Sequence, residues 1–236
     1  LGITQNNDQP PLQGLAYELG HRYSKSIFEK VIFSDSHDTA ANGSVRINEA
    51  VTPGNAESAT ARQQIILASA VTLTSPGIPM LLQGQEFMQE GAFNDWKMLE
   101  WDKTSQFGGI VLAHQHLINL RQNCFNNTRG LLGEFSELRQ RGDTSRVVAY
   151  HRKHPGGPNG DTIVILNFSD QRFDEYSLKL PYAGNWRVRF NSCWSGYSVD
   201  FHDTHFALAT AGKDASATVP IAPYNAIILS AEASKK

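Results

Sequence analysis

The chain has 236 residues, 40% hydrophobic and 19% charged, a globular balance that excludes disordered and fibrous classes. Its formal net charge of -2 argues against nucleic acid and anionic membrane as partners. It has no run of about 18 apolar residues that could span a membrane.

Leu1 and the following "GITQNNDQPP" lack the charged, apolar and cleavage regions of a signal peptide, and no initiator Met is present. The expectation is a piece of a longer protein. Cys124 and Cys193 lie far apart and outside any CxxC pattern. Two free thiols are expected rather than a disulfide framework or a zinc site, a usage that leans toward the cytoplasm.

Residues 11–30 read as a helix of mixed polarity, and "VIFS" (31–34) as a short buried-type strand. A polar loop follows. Residues 58–74 read as a buried helix, apolar on most sides in its later turns, with Ser58 as its cap. Pro76, Gly77 and Pro79 stop it. "MLLQGQEF" (80–87) is a second short strand, and an aromatic, acidic loop covers 88–107. Ile110, Ala113, Leu117 and Leu120 then recur at helical spacing. Strands alternating with helices imply parallel pairing, but two strands close no barrel. Residues 1–127 are therefore expected to be part of a larger α/β domain.

From residue 128 the texture changes. Short alternating runs occupy 145–153, 161–169, 173–180, 186–193, 205–211 and 224–231, with turn clusters such as "HPGGPNGD" between them. This pattern predicts an antiparallel β-sandwich over 128–236. In "WRVRF", alternation sets Trp186, Val188 and Phe190 on one face and Arg187 and Arg189 on the other.

Within "VIFSDSHDTAANGSVRI" (31–47), a strand leads into a polar tip that carries His37 beside Asp38. In an α/β barrel, catalytic groups occupy the C-terminal ends of strands. A carboxylate there can stabilise a cationic, sugar-like transition state, and an imidazole can hydrogen-bond a substrate hydroxyl. On its own the dipeptide reads first as a polar loop, an Asp accepting from loop amides beside a surface His.

This stretch, together with "SPGIPMLLQGQEFMQEGAFND", resembles the last two barrel strands of the α-amylase family of glycoside hydrolases. Within the family, the look is that of the subgroup containing branching enzymes and bacterial amylases. The family's last catalytic segment ends in a His-Asp pair after the seventh strand, which His37 and Asp38 match. Its eighth strand reads Gly-x-Pro, apolar residues, then Gly-x-Glu, which "GIPMLLQGQEF" matches. The β-rich half resembles the family's C-terminal all-β domain.

The resemblance implies α/β plus all-β architecture: strands 7 and 8 of a (β/α)8 barrel with their helices, then an antiparallel sandwich. It implies retaining chemistry on α-1,4-glucans, which needs a nucleophile and a protonated acid about 5 Å apart. Asp38 would inherit the role of the third, transition-state-stabilising carboxylate, and His37 would hold sugar hydroxyls. The Gly-x-Arg-x-Asp segment that carries the nucleophile is absent, as are the general-acid segment and the first conserved segment. Asp38 alone leaves nothing to attack the anomeric carbon or to protonate the leaving oxygen. The implication is a part of a hydrolase or branching enzyme, inactive by itself. Its partners would be an α-glucan or maltooligosaccharide and the missing N-terminal catalytic part. No cofactor is implied. No metal is expected, because the family's calcium ligands lie upstream.

Glu86 ends the eighth-strand match, where it either approaches the glucan or bonds to loop groups. Phe87, Phe93, Trp96 and Trp101 could line an outer sugar subsite or pack the loop. Asp35 and Arg46 are expected to pair and shape the His37–Asp38 loop. Trp186, Trp194 and Tyr197 could form a sugar platform on the sandwich, although a core Trp is the commoner case. The second function class is accordingly a non-catalytic module that binds glucan or stabilises a barrel. His114 and His116 do not share a helix face and suggest no metal site. A partial barrel leaves strand edges open, so self-association or poor order before about residue 50 is expected.

Overall fold

The computed structural model describes residues 12–155 and 160–232. After helix α1 (Leu12–Gly20), strand β1 (Val31–Ile32) pairs in parallel with β2 (Ile78–Pro79). Two helices separate them, the short α2 (Ile47–Val51) and α3 (Ala59–Thr74). Ser58 caps α3 as its sequence predicts, its Oγ accepting from the Ala61 N–H at 3.1 Å. Ile65, Ile66, Leu67 and Ala70 of α3 are all buried. A single turn, α4 (Lys103–Gln106), leads into α5 (Gly108–Arg121), which buries the expected Ile110, Ala113, Leu117 and Leu120.

Among the described residues that remain, a 3-10 turn (Arg129–Leu132) precedes an all-β region. Its strands are β3 (Phe135–Gly142), β4 (Val147–Lys153), β5 (Thr162–Asn167), β6 (Phe173–Lys179) and β7 (Gly184–Asn191). β8 (Leu208–Ala211), β9 (Ser216–Ile221) and β10 (Ala226–Ala231) complete the set. Six form an antiparallel sheet in the order β3-β4-β5-β10-β7-β8, and β6 pairs with β9 in a second.

The larger sheet is covered on both faces. Along β5, Ile163 and Ile165 turn toward the β6–β9 pair, with Leu178, Val219 and Ile221. Val164 and Leu166 turn the other way and join Ile66, Ala70, Ile110 and Leu117 of α3 and α5 in one core. That two-sided cover explains why every residue of β5 and β10 is buried.

Several expectations need correction. The helix predicted over 11–30 stops at Gly20, and Ile27–Glu29 is a 3-10 turn; residue 11 lies outside the described residues. Lys30 Nζ donates to the carbonyls of Glu18 and His21, which closes the end of α1. The second strand is Ile78–Pro79, upstream of the predicted 80–87. Gly84 takes a left-handed φ of 88° and turns the chain into the 3-10 segment Gln85–Phe87. The polar edge strand β3 and the Pro-containing β9 fall outside the predicted runs.

Phe190 faces away from Trp186 and Val188. β7 carries a bulge at Arg189, because Ile228 opposes Phe190 while Leu229 opposes Val188. The extra residue reverses the alternation. Trp186 lies between the two sheets, and Phe190 lies under the helices.

Candidate functional site

The loops that follow β1 and β2 leave the C-terminal ends of the parallel pair and are stitched together. The Arg46 N–H donates to Gly91 O at 3.0 Å, and the Phe93 N–H donates to Ala40 O at 2.6 Å. Arg46 Nη1 adds a bond to Gln83 O at 2.9 Å. The two loops therefore form one rim, with His37 and Asp38 at its tip.

The two side chains stand in solvent, 66% exposed for His37 and 82% for Asp38, with His37 Nε2 3.3 Å from Asp38 Oδ1. Exposure leaves both side chains open to solvent and their mutual attraction weak. The Phe93 ring meets the His37 imidazole edge-on at 5.9 Å.

Below the tip, polar groups are buried. Asp35 is 1% exposed, and its Oδ2 accepts from the Ile47 N–H at 2.9 Å. Burial raises its carboxyl above the usual range, opposed by the Ile47 N–H and the nearby Arg46 charge. Burial likewise lowers the Arg46 guanidinium, opposed by Asp35 and Glu86. The expected direct Asp35–Arg46 pair is not formed: Asp35 Oδ2 accepts from the Ile47 N–H and Arg46 Nη1 donates to Gln83 O, while Asp35 Oδ1 and Arg46 Nε make no hydrogen bond among the described residues. Their attraction acts through space and holds the base of both loops.

A second buried chain runs behind it. His114 Nδ1–H donates to Ile110 O at 2.8 Å, which leaves Nε2 to accept from the Ser69 hydroxyl at 2.8 Å. Gln85 Nε2 donates to Ser69 Oγ at 3.0 Å and to Ser34 Oγ at 2.9 Å. Burial lowers His114 and keeps the imidazole neutral. This chain anchors the end of β1, one residue before Asp35. A polar Gln85 inside an apolar run was its only sequence signal.

The other predicted residues are dispersed. Glu86 is half-buried, and its charge reaches Arg46 and His114. Trp96 is 95% exposed on the rim. Trp101 is also exposed and lies 5.3 Å from the buried Phe87 ring. Phe93, rather than either tryptophan, is the ring that meets His37. On the sandwich, Trp186 is fully buried against Tyr182, whereas Trp194 is 42% exposed. His116 Nδ1 meets Tyr197 Oη at 2.7 Å beside it. Among the described residues, no group of three His, Cys, Asp or Glu is placed to hold a metal ion.

Residues 140–232 match the family described as alpha amylase, C-terminal all-beta domain. The chain is similar to the C-terminal part of α-amylase-family glycoside hydrolases. The 1,4-alpha-glucan branching enzyme of Mycobacterium sp. (strain KMS) is 24% identical over 214 residues, 84% of this chain and 27% of the relative. That of Mesorhizobium japonicum is 30% identical over 161 residues, 65% of this chain and 21% of the relative. The chain thus spans 27% of the first relative's length. A pullulanase from Anoxybacillus sp., solved with maltotetraose, shares the fold with a TM-score of 0.64 at 20% identity, over 94% of this chain and 30% of that one. The type I pullulanase from Bacillus subtilis str. 168, solved with maltose, gives 0.65 at 19% identity, over 94% and 31%.

Proposed function

We propose that this chain is a C-terminal portion of a retaining α-glucan-active enzyme, either a hydrolase or a branching enzyme. On this reading β1 and β2 are the last two strands of a (β/α)8 barrel, and residues 128–236 form the domain that follows it. The observation that carries the reading is the rim. It presents His37 and Asp38, side by side and solvent-facing, at the C-terminal end of a parallel strand, where barrel enzymes do their chemistry.

In this role Asp38 lies against the sugar ring and stabilises the oxocarbenium-like charge that develops as the glycosidic bond breaks. His37 donates to a hydroxyl of the same sugar, with Phe93 fixing its ring. Trp96 and Trp101, both exposed, offer faces on which further glucosyl units stack. The nucleophile and the general acid come from outside the chain, so the chain alone does not turn over glucan.

The test is Asp38→Asn in the native-length enzyme. Because Asp38 is exposed, the variant should keep its melting temperature. It should lose about a hundred- to a thousandfold in kcat, the scale for removing a group that acts in the transition state. An unchanged kcat would sink the assignment.

A second reading rests on Trp194, the half-exposed indole of the sandwich: a glucan-binding module without catalysis. Maltotetraose should then quench tryptophan fluorescence in the wild-type chain and not in Trp194→Ala. Quenching that survives this substitution points back to Trp96 and Trp101.

A further inference from the structure

The loop that carries His37 and Asp38 also carries a tight turn. Ala41 O accepts from the Ser44 N–H at 3.0 Å. The residues between them, Asn42 and Gly43, take left-handed φ angles of 55° and 91°. An Asn-Gly pair suits such a turn, because both residues reach positive φ with little strain. Asn42, Gly43 and Ser44 are all exposed. The Gly43 N–H and the Asn42 side chain make no hydrogen bond among the described residues. Nothing lies within 4 Å of the place a Cβ on Gly43 would occupy.

On both sides the loop is fixed. Ala40 is fully buried, and its carbonyl accepts from the Phe93 N–H. Arg46 is buried too, and its N–H donates to Gly91 O. The turn is thus a short span between two anchored points, closed across its base by the Ser44–Ala41 bond.

This arrangement leaves a main-chain nitrogen beside a reactive carbonyl. The carboxamide carbon of an asparagine lies within reach of the next residue's nitrogen, so ring closure is intramolecular. A side chain on the next residue hinders that closure, and a hydrogen bond on its N–H opposes it. Gly43 has neither. The turn must leave its left-handed geometry for the attack, and an exposed turn with one bridging bond opens at low free energy.

We propose that Asn42 is a deamidation site through which the rim ages. The Gly43 nitrogen bonds to Asn42 Cγ, and the Cγ–Nδ2 bond breaks. The Gly43 proton and the carboxamide nitrogen leave together as ammonia. Water then opens the succinimide. Breaking the new N–Cγ bond leaves an aspartate in the ordinary main chain. Breaking the bond from the Gly43 nitrogen to the Asn42 main-chain carbonyl carbon leaves an isoaspartate, with the chain routed through Cβ and Cγ. Water is the sole co-reactant, and nothing is oxidised or reduced. Either product adds a carboxylate to the loop of His37 and Asp38. The isoaspartate also lengthens the main chain between the anchored Ala40 and Arg46, which the Ser44–Ala41 bond does not survive. The rim becomes more acidic and looser, whatever ligand it meets.

The test uses the folded 236-residue chain, held at mildly alkaline pH and digested with trypsin in acid. The peptide 31–46 contains Asn42 as its one asparagine, so its mass gain reports the reaction and fragmentation locates it. The folded chain should convert at a rate within about tenfold of the free 31–46 peptide. It should convert there at least about tenfold faster than at Asn126, which is exposed with φ 54° but is followed by Asn127. Asn42→Gly should keep the turn and abolish the mass gain. Gly43→Ala should slow it at least about tenfold, and Asn42→Gly carries the test if that variant unsettles the loop. Conversion more than about tenfold slower in the folded chain than in the free peptide overturns the site. In the purified isoaspartyl form, the Arg46 and Phe93 amides should exchange at least about tenfold faster than in fresh chain. Unchanged exchange overturns the loosening of the rim.

Discussion

Arg46 and Asp35 are 4% and 1% exposed, and each is the leading charge acting on the other. Removing Arg46 takes away that through-space attraction and leaves the Gln83 carbonyl without its side-chain donor, which costs about 1–3 kcal/mol. Arg46→Ala should fall in that range in urea unfolding at pH 7. The double variant Asp35→Asn, Arg46→Leu should recover part of the loss. The pH dependence has a defined sign. Asp35 already has a folded-state pKa raised by burial, and losing Arg46 raises it further. A carboxyl raised on folding adds stability below its unfolded pKa and loses it as the pH climbs through the folded value. The Arg46→Ala deficit should therefore shrink at acidic pH; a constant deficit would mean that Asp35 does not sense Arg46. At this scale the tip was legible and the base was not. His37 and Asp38 stand out as a polar pair after an apolar run. The bonds of Asp35 to Ile47 N–H, of Arg46 to Gln83 O, and of Gln85 to Ser69 join residues whose proximity depends on the fold.

Arg152 shows how two elements of different kinds are joined. Its guanidinium, fully buried on β4, donates to carbonyls of Thr74, Leu131, Gly133 and Phe135. Thr74 is the last residue of α3, so Arg152 places a cation at the negative end of that helix. Burial, and then repulsion from Arg121, lowers Arg152 to about 9, which still leaves it charged at neutral pH. Arg121 bonds to the carbonyls of Ser75 and Gly77 just beyond. Arg152→Met keeps the stem and strands those carbonyls. It should destabilise by about 3 kcal/mol, read as a lower urea midpoint with an unchanged m-value. A change under about 0.5 kcal/mol would mean the helix end is held by other groups. Elements with a strong local signature were the legible ones: α3 by its Ser58 cap and apolar turns, α5 by its spacing, β4, β5 and β10 by their β-branched runs. β3 was not, because "FSELRQRG" is a half-exposed edge strand with few apolar residues to alternate. Nor was the bulge at Arg189, since one extra residue in a ladder depends on the opposing strand β10.

At the scale of the whole molecule, the change of texture near residue 128 does not divide the core. Ile66, Ala70, Ile110 and Leu117 from the helices pack with Tyr150, Val164, Phe190 and Ile228 from the sheet. Strands with a fully buried pattern require cover on both faces, and the second cover can come only from a neighbouring layer. Here that layer is α3 and α5, so the sheet and the helices stabilise each other across the sequence boundary. Residues 128–236 expressed alone would expose that entire sheet face, including Tyr150, whose hydroxyl meets Thr74 of α3. Such an apolar face favours association or loss of fixed packing. The isolated segment should retain far-UV β signal, bind ANS and lack a cooperative melt. The 236-residue chain should unfold the helices and the six-stranded sheet together, with calorimetric and van't Hoff enthalpies agreeing for that transition. Two resolved transitions, one from α3 and α5 and one from the sheet, would show that the shared core does not couple the layers. The β1–β2 pair would then be held by the helices alone, and substitutions at Arg152 should leave the rim undisturbed. A single transition makes the opposite prediction: Arg152→Met also speeds amide exchange at Ile78 and Met80, because loosening the end of α3 loosens the strand that follows it.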